Sequence, residues 1–230
     1  MVNIAHPSVE VIGYTVVTQG GNRSPIDNYM LPDITATQAE ELSEFAGRGC
    51  YESYHRPNPA TENNRDYIRN IIDQGHESVL EHGSVSFYIT GVSRALTHEL
   101  VRHRHFSFSQ LSQRFVNEDE AAMVIPPALE GNGPAIATLG YTFNEALESY
   151  KELVQTLQDQ GLPRKQAREA ARAVLPNCTE TKLVISGNHR AWREFLKKRL
   201  DPAADAEIRR LAEMIRDHLK EVAPSMYEEF

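Results

Sequence analysis

Residues 102–114 read Arg-His-Arg-His-Phe-Ser-Phe-Ser-Gln-Leu-Ser-Gln-Arg, and the rest of the chain is best understood from this stretch outward. It contains three arginines and two histidines but no acidic residue, although the whole chain has a net charge of -8. Arginine presents planar N–H donors that fit phosphate and carboxylate oxygens, and phenylalanine offers flat apolar surface for a ring. The stretch therefore predicts a site for an anionic ligand with an aromatic part. A solvated surface or a subunit contact is the alternative.

Composition places the 230-residue chain among ordinary globular proteins, because 40% of its residues are hydrophobic and 24% are charged. No run approaches the roughly 18 apolar residues of a membrane span, and the N-terminal residues lack the basic-then-apolar order of a signal peptide. Cys50 and Cys178 form no CxxC pair, which favours buried, reduced thiols in a cytoplasmic protein. The acidic net charge argues against bulk nucleic-acid binding.

The order of strand-like and helix-like segments predicts an α+β fold in one domain covering residues 1–230, with a mixed or antiparallel sheet flanked by long helices. Strands are predicted over residues 8–17, 83–90 and 179–186. A turn-rich loop is predicted over residues 20–32, and residues 102–114 should continue from a helix end into a loop. Helices are predicted from Thr37 with a capping box to Glu40, from Asn63 or Asn64, from Ser93, over residues 135–160, and from Pro163, Asn188 and Pro202.

Two pairs of histidines lie close enough in the sequence to be considered as metal ligands. His98 and His103 are five residues apart, about 140° around a helix, so they cannot share a metal as an HExxH pair does. We therefore predict no metal site, and we expect His98 to pack against the sheet. His76 and His82 flank Ser78 in a compact polar turn, for which internal hydrogen bonds are favoured over a metal.

The spacing within the basic stretch matches a known signature. Arg102-His103-Arg104, followed after seven residues by Ser112, resembles the Arg-His-Arg-x7-Ser motif of the flavin-dependent thymidylate synthases. The resemblance extends through Gln113-Arg114 and covers most of the chain, from residues 45–48 to the last predicted helix. It implies an enzyme that methylates dUMP to dTMP, with 5,10-methylenetetrahydrofolate as carbon donor and NADPH as reductant through bound FAD. It also implies a homotetramer whose flavin sites are shared between subunits.

The resemblance further implies roles for individual residues. Arg199 would be the catalytic residue, stabilising negative charge on the pyrimidine and thereby activating its C5. FAD contacts are implied for Ser78, Arg102, His103, Arg104, Gln110, Asn188, His189, Arg190 and Glu194. The dUMP contacts implied are Glu99, Leu100, Val101, Arg102, Gln110, Leu111, Ser112, Gln113, Arg114 and Arg172.

Two of these positions depart from the family pattern. Glu99 stands where other members have glutamine, which puts a side-chain contact to the nucleotide in doubt. Glu194 stands where the family commonly has asparagine or histidine, and its carboxylate would repel the phosphates of a flavin dinucleotide.

A function of a different class is a single-stranded nucleic-acid-binding module that uses the Arg/His/Phe-rich stretch for stacking. The acidic net charge argues against that alternative.

Overall fold

An antiparallel sheet lies at the centre of the computed structural model, which describes residues 3–17, 35–54 and 58–230. The strands are β1 (Ile4–Ala5), β2 (Ser8–Tyr14), β3 (Ser84–Ser93), β4 (Ser107–Gln110), β5 (Met123–Val124) and β6 (Glu180–Asn188). The helices are α1 (Gln38–Gly49), α2 (Asn64–Asp73), α3 (Arg94–Leu100), α4 (Gly133–Asp159), α5 (Arg164–Ala171), α6 (His189–Arg199) and α7 (Ala206–Val222). Short 3₁₀ turns include Glu77–Glu81, Arg172–Val174 and Pro224–Met226.

The main sheet has the strand order β2-β3-β6-β4, and every neighbouring pair in it is antiparallel. Val85, Phe87 and Ile89 are fully buried on one face of β3, as their alternation with polar residues predicts. This face joins α6 and α7 in one hydrophobic core. β1 and β5 form a separate parallel pair. The predicted α+β class is confirmed, and the main sheet is antiparallel rather than mixed.

Polar side chains begin several helices where the sequence predicts them. The side-chain oxygens of Asn63, Ser93 and Asn188 accept backbone N–H groups from the first turns of α2, α3 and α6. The Glu40 carboxylate accepts the N–H of Thr37 at 2.8 Å, which is one half of the predicted capping box. Asn188, the last residue of β6, therefore fixes where α6 leaves the sheet.

Two other predictions about the elements are wrong, and a third concerns residues that the structure does not describe. Ser107–Gln110 is a strand rather than a loop, because it pairs with β6. The last helix begins at Ala206, not at Pro202, because the Asp205 carboxylate accepts the N–H of Glu207 and caps it there. The loop predicted over residues 20–32 lies outside the described residues.

Three side chains expected to be covered are open to solvent. His98 is exposed on α3 and does not pack against the sheet, because Leu96 and Leu100 occupy the buried side of this helix. Cys50 is exposed and Cys178 is partly exposed, and both are free thiols.

Within the described ranges, no helix combines the length and the apolar character needed to cross a membrane.

Candidate active site

A cleft of about 890 Å³ opens where the end of α3, the turn into β4 and helix α6 meet. This size falls in the upper part of the roughly 300–1,000 Å³ typical of cofactor pockets. The turn contributes Arg102, His103, Arg104, His105 and Phe106 to the lining, α6 and its cap contribute Asn188, Arg190, Ala191, Glu194, Lys198 and Arg199, and the 3₁₀ turn Glu77–Glu81 contributes its two end residues.

Aromatic packing holds the turn after α3 against α6. The ring of Phe106 lies 4.3 Å, centroid to centroid, from Trp192, whose indole N–H donates to the Val85 carbonyl at 3.2 Å. A side chain on Gly187 would clash with the Phe106 ring, so this glycine permits the close approach. The basic residues on either side of Phe106 are therefore placed on a rigid support.

Arg199 is held by acceptors at the C-terminal end of α3. Its Nε donates to Nε2 of His103 at 3.0 Å, and its Nη2 donates to the main-chain carbonyl of Glu99 at 3.2 Å. Its Nη1 forms an ion pair with the Glu99 carboxylate. The Arg199 side chain is only 16% exposed, and the negative end of a helix dipole suits a cation. The guanidinium is thus anchored by Glu99 at the end of α3 and by His103 in the turn that follows.

His103 must be uncharged to accept the hydrogen bond from Arg199. Burial, followed by the charges of Arg199 and Lys198, lowers the pKa of His103 from 6.5 to about 4. The ring is therefore neutral at pH 7. Because Nε2 accepts from Arg199, the single ring proton resides on Nδ1. Edge-on packing against Phe195, with 5.1 Å between centroids, fixes the plane of the imidazole.

Acidic residues neutralise some of the cleft's cations but not all of them. Arg190 pairs with Glu81 at 2.5 Å, and Lys198 pairs with Glu194 at 2.6 Å along α6. The guanidinium groups of Arg102 and Arg104 are exposed and make no hydrogen bond or ion pair within the part of the chain that the structure describes. These two arginines are therefore the cations most available to an anionic ligand.

His189 does not line the cleft. The residue is fully buried, and a 2.8 Å hydrogen bond joins its Nδ1 to the hydroxyl of Tyr227, which is buried as well. Burial lowers the pKa of His189 to about 4, so its ring is neutral at pH 7. The side chain thus anchors the start of α6 to the C-terminal segment.

Arg193 is a supporting residue that the sequence reasoning missed. Its side chain is fully buried, and it donates to the Met226 carbonyl and pairs with Glu229 at 2.6 Å. The available signal was its position four residues after His189 and three before Leu196, on the inward stripe of α6. A charge on a buried stripe requires partners, and here the C-terminal segment supplies them.

A second group of predicted residues lies away from the cleft. The Gln110 amide donates to Thr97 and Thr181, and Arg114 pairs with Glu169 at 2.7 Å. Gln113 is buried. The residues that this structure does not bring to the cleft lining are Ser78, Glu99, Leu100, Val101, Gln110, Leu111, Ser112, Gln113, Arg114, Arg172 and His189. Those that it brings together there are Arg102, His103, Arg104, Asn188, Arg190, Glu194 and Arg199.

Arg94 and Glu118 accompany this second group and were not singled out from the sequence. Arg94 donates to the Leu111 carbonyl at 3.4 Å, and burial lowers the pKa of its guanidinium. Burial also raises the pKa of the Glu118 carboxyl to about 7. The available signal was a basic residue in the first turn of α3, where the helix dipole disfavours a cation.

The described residues contain no group of three or more His, Cys, Asp and Glu side chains arranged so that it could hold a metal ion. His98 is exposed and His103 is engaged with Arg199. The cleft lining itself consists largely of cationic and neutral hydrogen-bond donors, interleaved with acids. Such interleaving does not favour the alternative of a nucleic-acid groove, which depends on a continuous positive track.

Comparison with known proteins agrees with the motif. Residues 33–225 match the family described as "Thymidylate synthase complementing protein". The chain is 54% identical to the flavin-dependent thymidylate synthase of Mycolicibacterium gilvum and 50% identical to that of Mycobacteroides abscessus. Each match covers 86% of this chain and 84% of the relative. The chain therefore belongs to the family of the flavin-dependent thymidylate synthases.

Proposed function

We propose that this chain is a cytoplasmic flavin-dependent thymidylate synthase, a single domain of residues 1–230 that forms dTMP by reductive methylation of dUMP. The carbon donor is 5,10-methylenetetrahydrofolate, the reductant is NADPH, and FAD is the bound cofactor. The observation that carries the proposal is the convergence of Arg102, Arg104, Arg190 and Arg199 on one cleft. These residues come from two elements far apart in the sequence, and the family resemblance implies a role at the site for each of them.

The donor set of the cleft fits FAD. Two phosphates require cationic donors, and the free guanidinium groups of Arg102 and Arg104 supply them. Arg190 and Asn188 lie at the start of α6, where the helix dipole also favours an anion. Lys198 pairs with Glu194 and offsets its negative charge. This pairing reduces the repulsion that the Glu194 carboxylate would exert on the FAD phosphates. His189 contributes indirectly, by fixing the start of α6.

When bound, FAD supplies the hydride that the methylation requires. The chain's own residues bind and orient the reactants. Arg199 is anchored by His103, which accepts from its Nε, and by Glu99. It holds a positive charge at the cleft, where it stabilises negative charge on a pyrimidine oxygen. Because His103 is neutral, it fixes this guanidinium without adding a competing charge. Preorganisation of this kind lowers the cost of reorienting polar groups during the reaction.

The separation of the two groups of residues supports a homotetramer with shared sites. The dUMP contacts implied over residues 110–114 and at Arg172 do not line the cleft that contains Arg199. A site assembled from the cleft of one protomer and residues 110–114 of another unites them. The partners of the chain are then dUMP, methylenetetrahydrofolate, NADPH and further copies of itself.

The test begins with the visible spectrum of the purified protein and then follows NADPH oxidation with and without dUMP, in the presence of methylenetetrahydrofolate. We expect a yellow protein whose NADPH oxidation depends on dUMP and yields dTMP. A colourless protein that takes up no added FAD and shifts single-stranded DNA in a salt-dependent manner contradicts the proposal and favours the nucleic-acid alternative.

A further inference from the structure

We propose that Glu77 is a positioning residue for the flavin site, which acts through Ser78 by holding the 3₁₀ turn Glu77–Glu81 against α6. The inference rests on the proposed function, because the family resemblance implies that Ser78 contacts FAD. It gives a role to an acid that lines the cleft but that the sequence motif does not single out.

Two cations on one side of α6 hold the Glu77 carboxylate. Its Oε1 accepts from Nζ of Lys197 at 2.9 Å and from Nη2 of Arg193 at 3.4 Å. Burial of Glu77 favours its neutral form, but Lys197 and Arg193 outweigh burial and lower the pKa of this carboxyl below its usual value. The carboxylate is therefore charged at neutral pH, and two ion pairs fix it to α6.

The opposite end of the turn is held by a similar pair. Glu81 pairs with Arg190 at 2.5 Å, and the two residues between Ser78 and Glu81 are buried. Ser78, by contrast, is exposed, and its hydroxyl makes no hydrogen bond within the described part of the chain. The direction of this free hydroxyl therefore depends on the residue before it, which the ion pairs of Glu77 hold in place.

Arg193 provides an internal comparison, because one of its nitrogens binds two acids. Its side chain is fully buried, and its Nη2 pairs with Glu77 at 3.4 Å and with Glu229 at 2.6 Å. Glu77 belongs to the turn at the cleft, whereas Glu229 belongs to the C-terminal segment and does not line the cleft. Removal of either acid leaves the buried guanidinium with the other acid and with the Met226 carbonyl, so both variants should fold.

The experiment compares the wild type with Glu77→Ala and Glu77→Gln, and with the matched controls Glu229→Ala and Glu229→Gln. Two quantities are measured for each protein after flavin removal: the FAD dissociation constant, by flavin fluorescence, and the free energy of unfolding, by urea. Ser78→Ala, alone and combined with Glu77→Ala, completes a thermodynamic cycle for FAD binding.

We expect Glu77→Ala to raise the FAD dissociation constant about fivefold, the value of one hydrogen bond, because Ser78 is no longer aimed at the ligand. Glu77→Gln should raise it about twofold, since a neutral oxygen still accepts from both cations. The Glu229 variants should lower the free energy of unfolding but leave FAD affinity unchanged. When Ser78→Ala is already present, Glu77→Ala should have no further effect on FAD affinity.

Three results overturn the inference. Equal loss of FAD affinity in the Glu77 and Glu229 variants shows a general effect on the fold. Full additivity of Ser78→Ala and Glu77→Ala shows that Glu77 does not act through Ser78, and unchanged affinity in Glu77→Ala shows no role. Failure of the wild type itself to bind FAD instead contradicts the proposed function, so the two failures are distinguishable.

Discussion

The Nε of Arg199 donates to Nε2 of His103 across 3.0 Å, which links the last turn of α6 to the first residues after α3. The bond exists only while His103 is neutral, and burial ensures this by holding its pKa near 4. Arg199, the residue for which the family resemblance implies the catalytic role, is thus oriented by a residue of the Arg-His-Arg motif. This relationship joins the two halves of the cleft.

Replacement of Arg199 should separate cofactor retention from turnover. We expect Arg199→Ala to remain yellow, because it keeps Arg102 and Arg104, the proposed phosphate donors, but to form dTMP at least about a hundredfold more slowly, as for loss of one preorganised charge. Flavin absorbance per protein and dTMP yield measure the two properties. Arg216→Ala, which alters a surface pair on α7, is the control. Near-normal turnover in Arg199→Ala removes this arginine from the mechanism.

Replacement of Arg104 should weaken FAD binding itself. Its guanidinium has no partner within the described residues, so its removal leaves no unpaired acid behind. We expect Arg104→Ala to raise the FAD dissociation constant by about tenfold, the value of one hydrogen bond to a charged group. Titration of the apoprotein by flavin fluorescence provides the measurement. Unchanged flavin stoichiometry and affinity contradict the assignment.

Lys198 should matter for FAD chiefly because it neutralises Glu194. The pair is 2.6 Å apart and solvent-exposed, so its effect is small and depends on ionic strength. We expect Lys198→Met to weaken FAD binding by about threefold at low salt, and Glu194→Gln combined with Lys198→Met to restore it. Equal weakening in the single and double variants shows that Lys198 does not act through Glu194.

The buried His189 should make the protein less stable in acid. Its pKa is about 4 in the folded protein, whereas an exposed histidine has a pKa of 6.5. Between these values the unfolded chain binds a proton that the folded protein does not, so stability falls as pH drops from 6.5 toward 4. The full effect is about 3 kcal/mol.

Urea unfolding at pH 7 and pH 5 measures this effect, with His189→Gln as the comparison. Burial raises the pKa of Glu118 to about 7, which contributes a slope of opposite sign over part of the same range. The difference between wild type and variant isolates the histidine, because Glu118 is common to both. A pH dependence that is identical in the two proteins contradicts the assignment.

Local sequence signals predicted much of this fold because they act over a few residues. The caps at Ser93 and Asn188 were readable because a short polar side chain precedes an apolar stripe. Strand β4 was missed because Ser107 and Ser109 resemble a loop, and only pairing with β6 makes the segment extended. Asp205 was missed as a cap because Pro202 offers an equally good helix start.

The site was predictable in its residue types but not in its pairings. Motif spacing pointed to Arg102, His103 and Arg104, and the wider family resemblance pointed to Arg199. The ion pair between Arg199 and Glu99 joins residues 100 positions apart, and no local rule reports such a contact. The same holds for the support that Tyr227 gives to His189, because both side chains are buried by packing that the sequence pattern does not specify.

The most direct test of the account is flavin removal and return. Protein stripped of flavin is assayed for dTMP formation from dUMP, methylenetetrahydrofolate and NADPH, before and after FAD is added back. We predict no dTMP from the stripped protein and recovery in proportion to the FAD bound. Equal dTMP formation with and without FAD, or none when FAD is fully bound, contradicts the claim that this cleft is a flavin-dependent thymidylate synthase site.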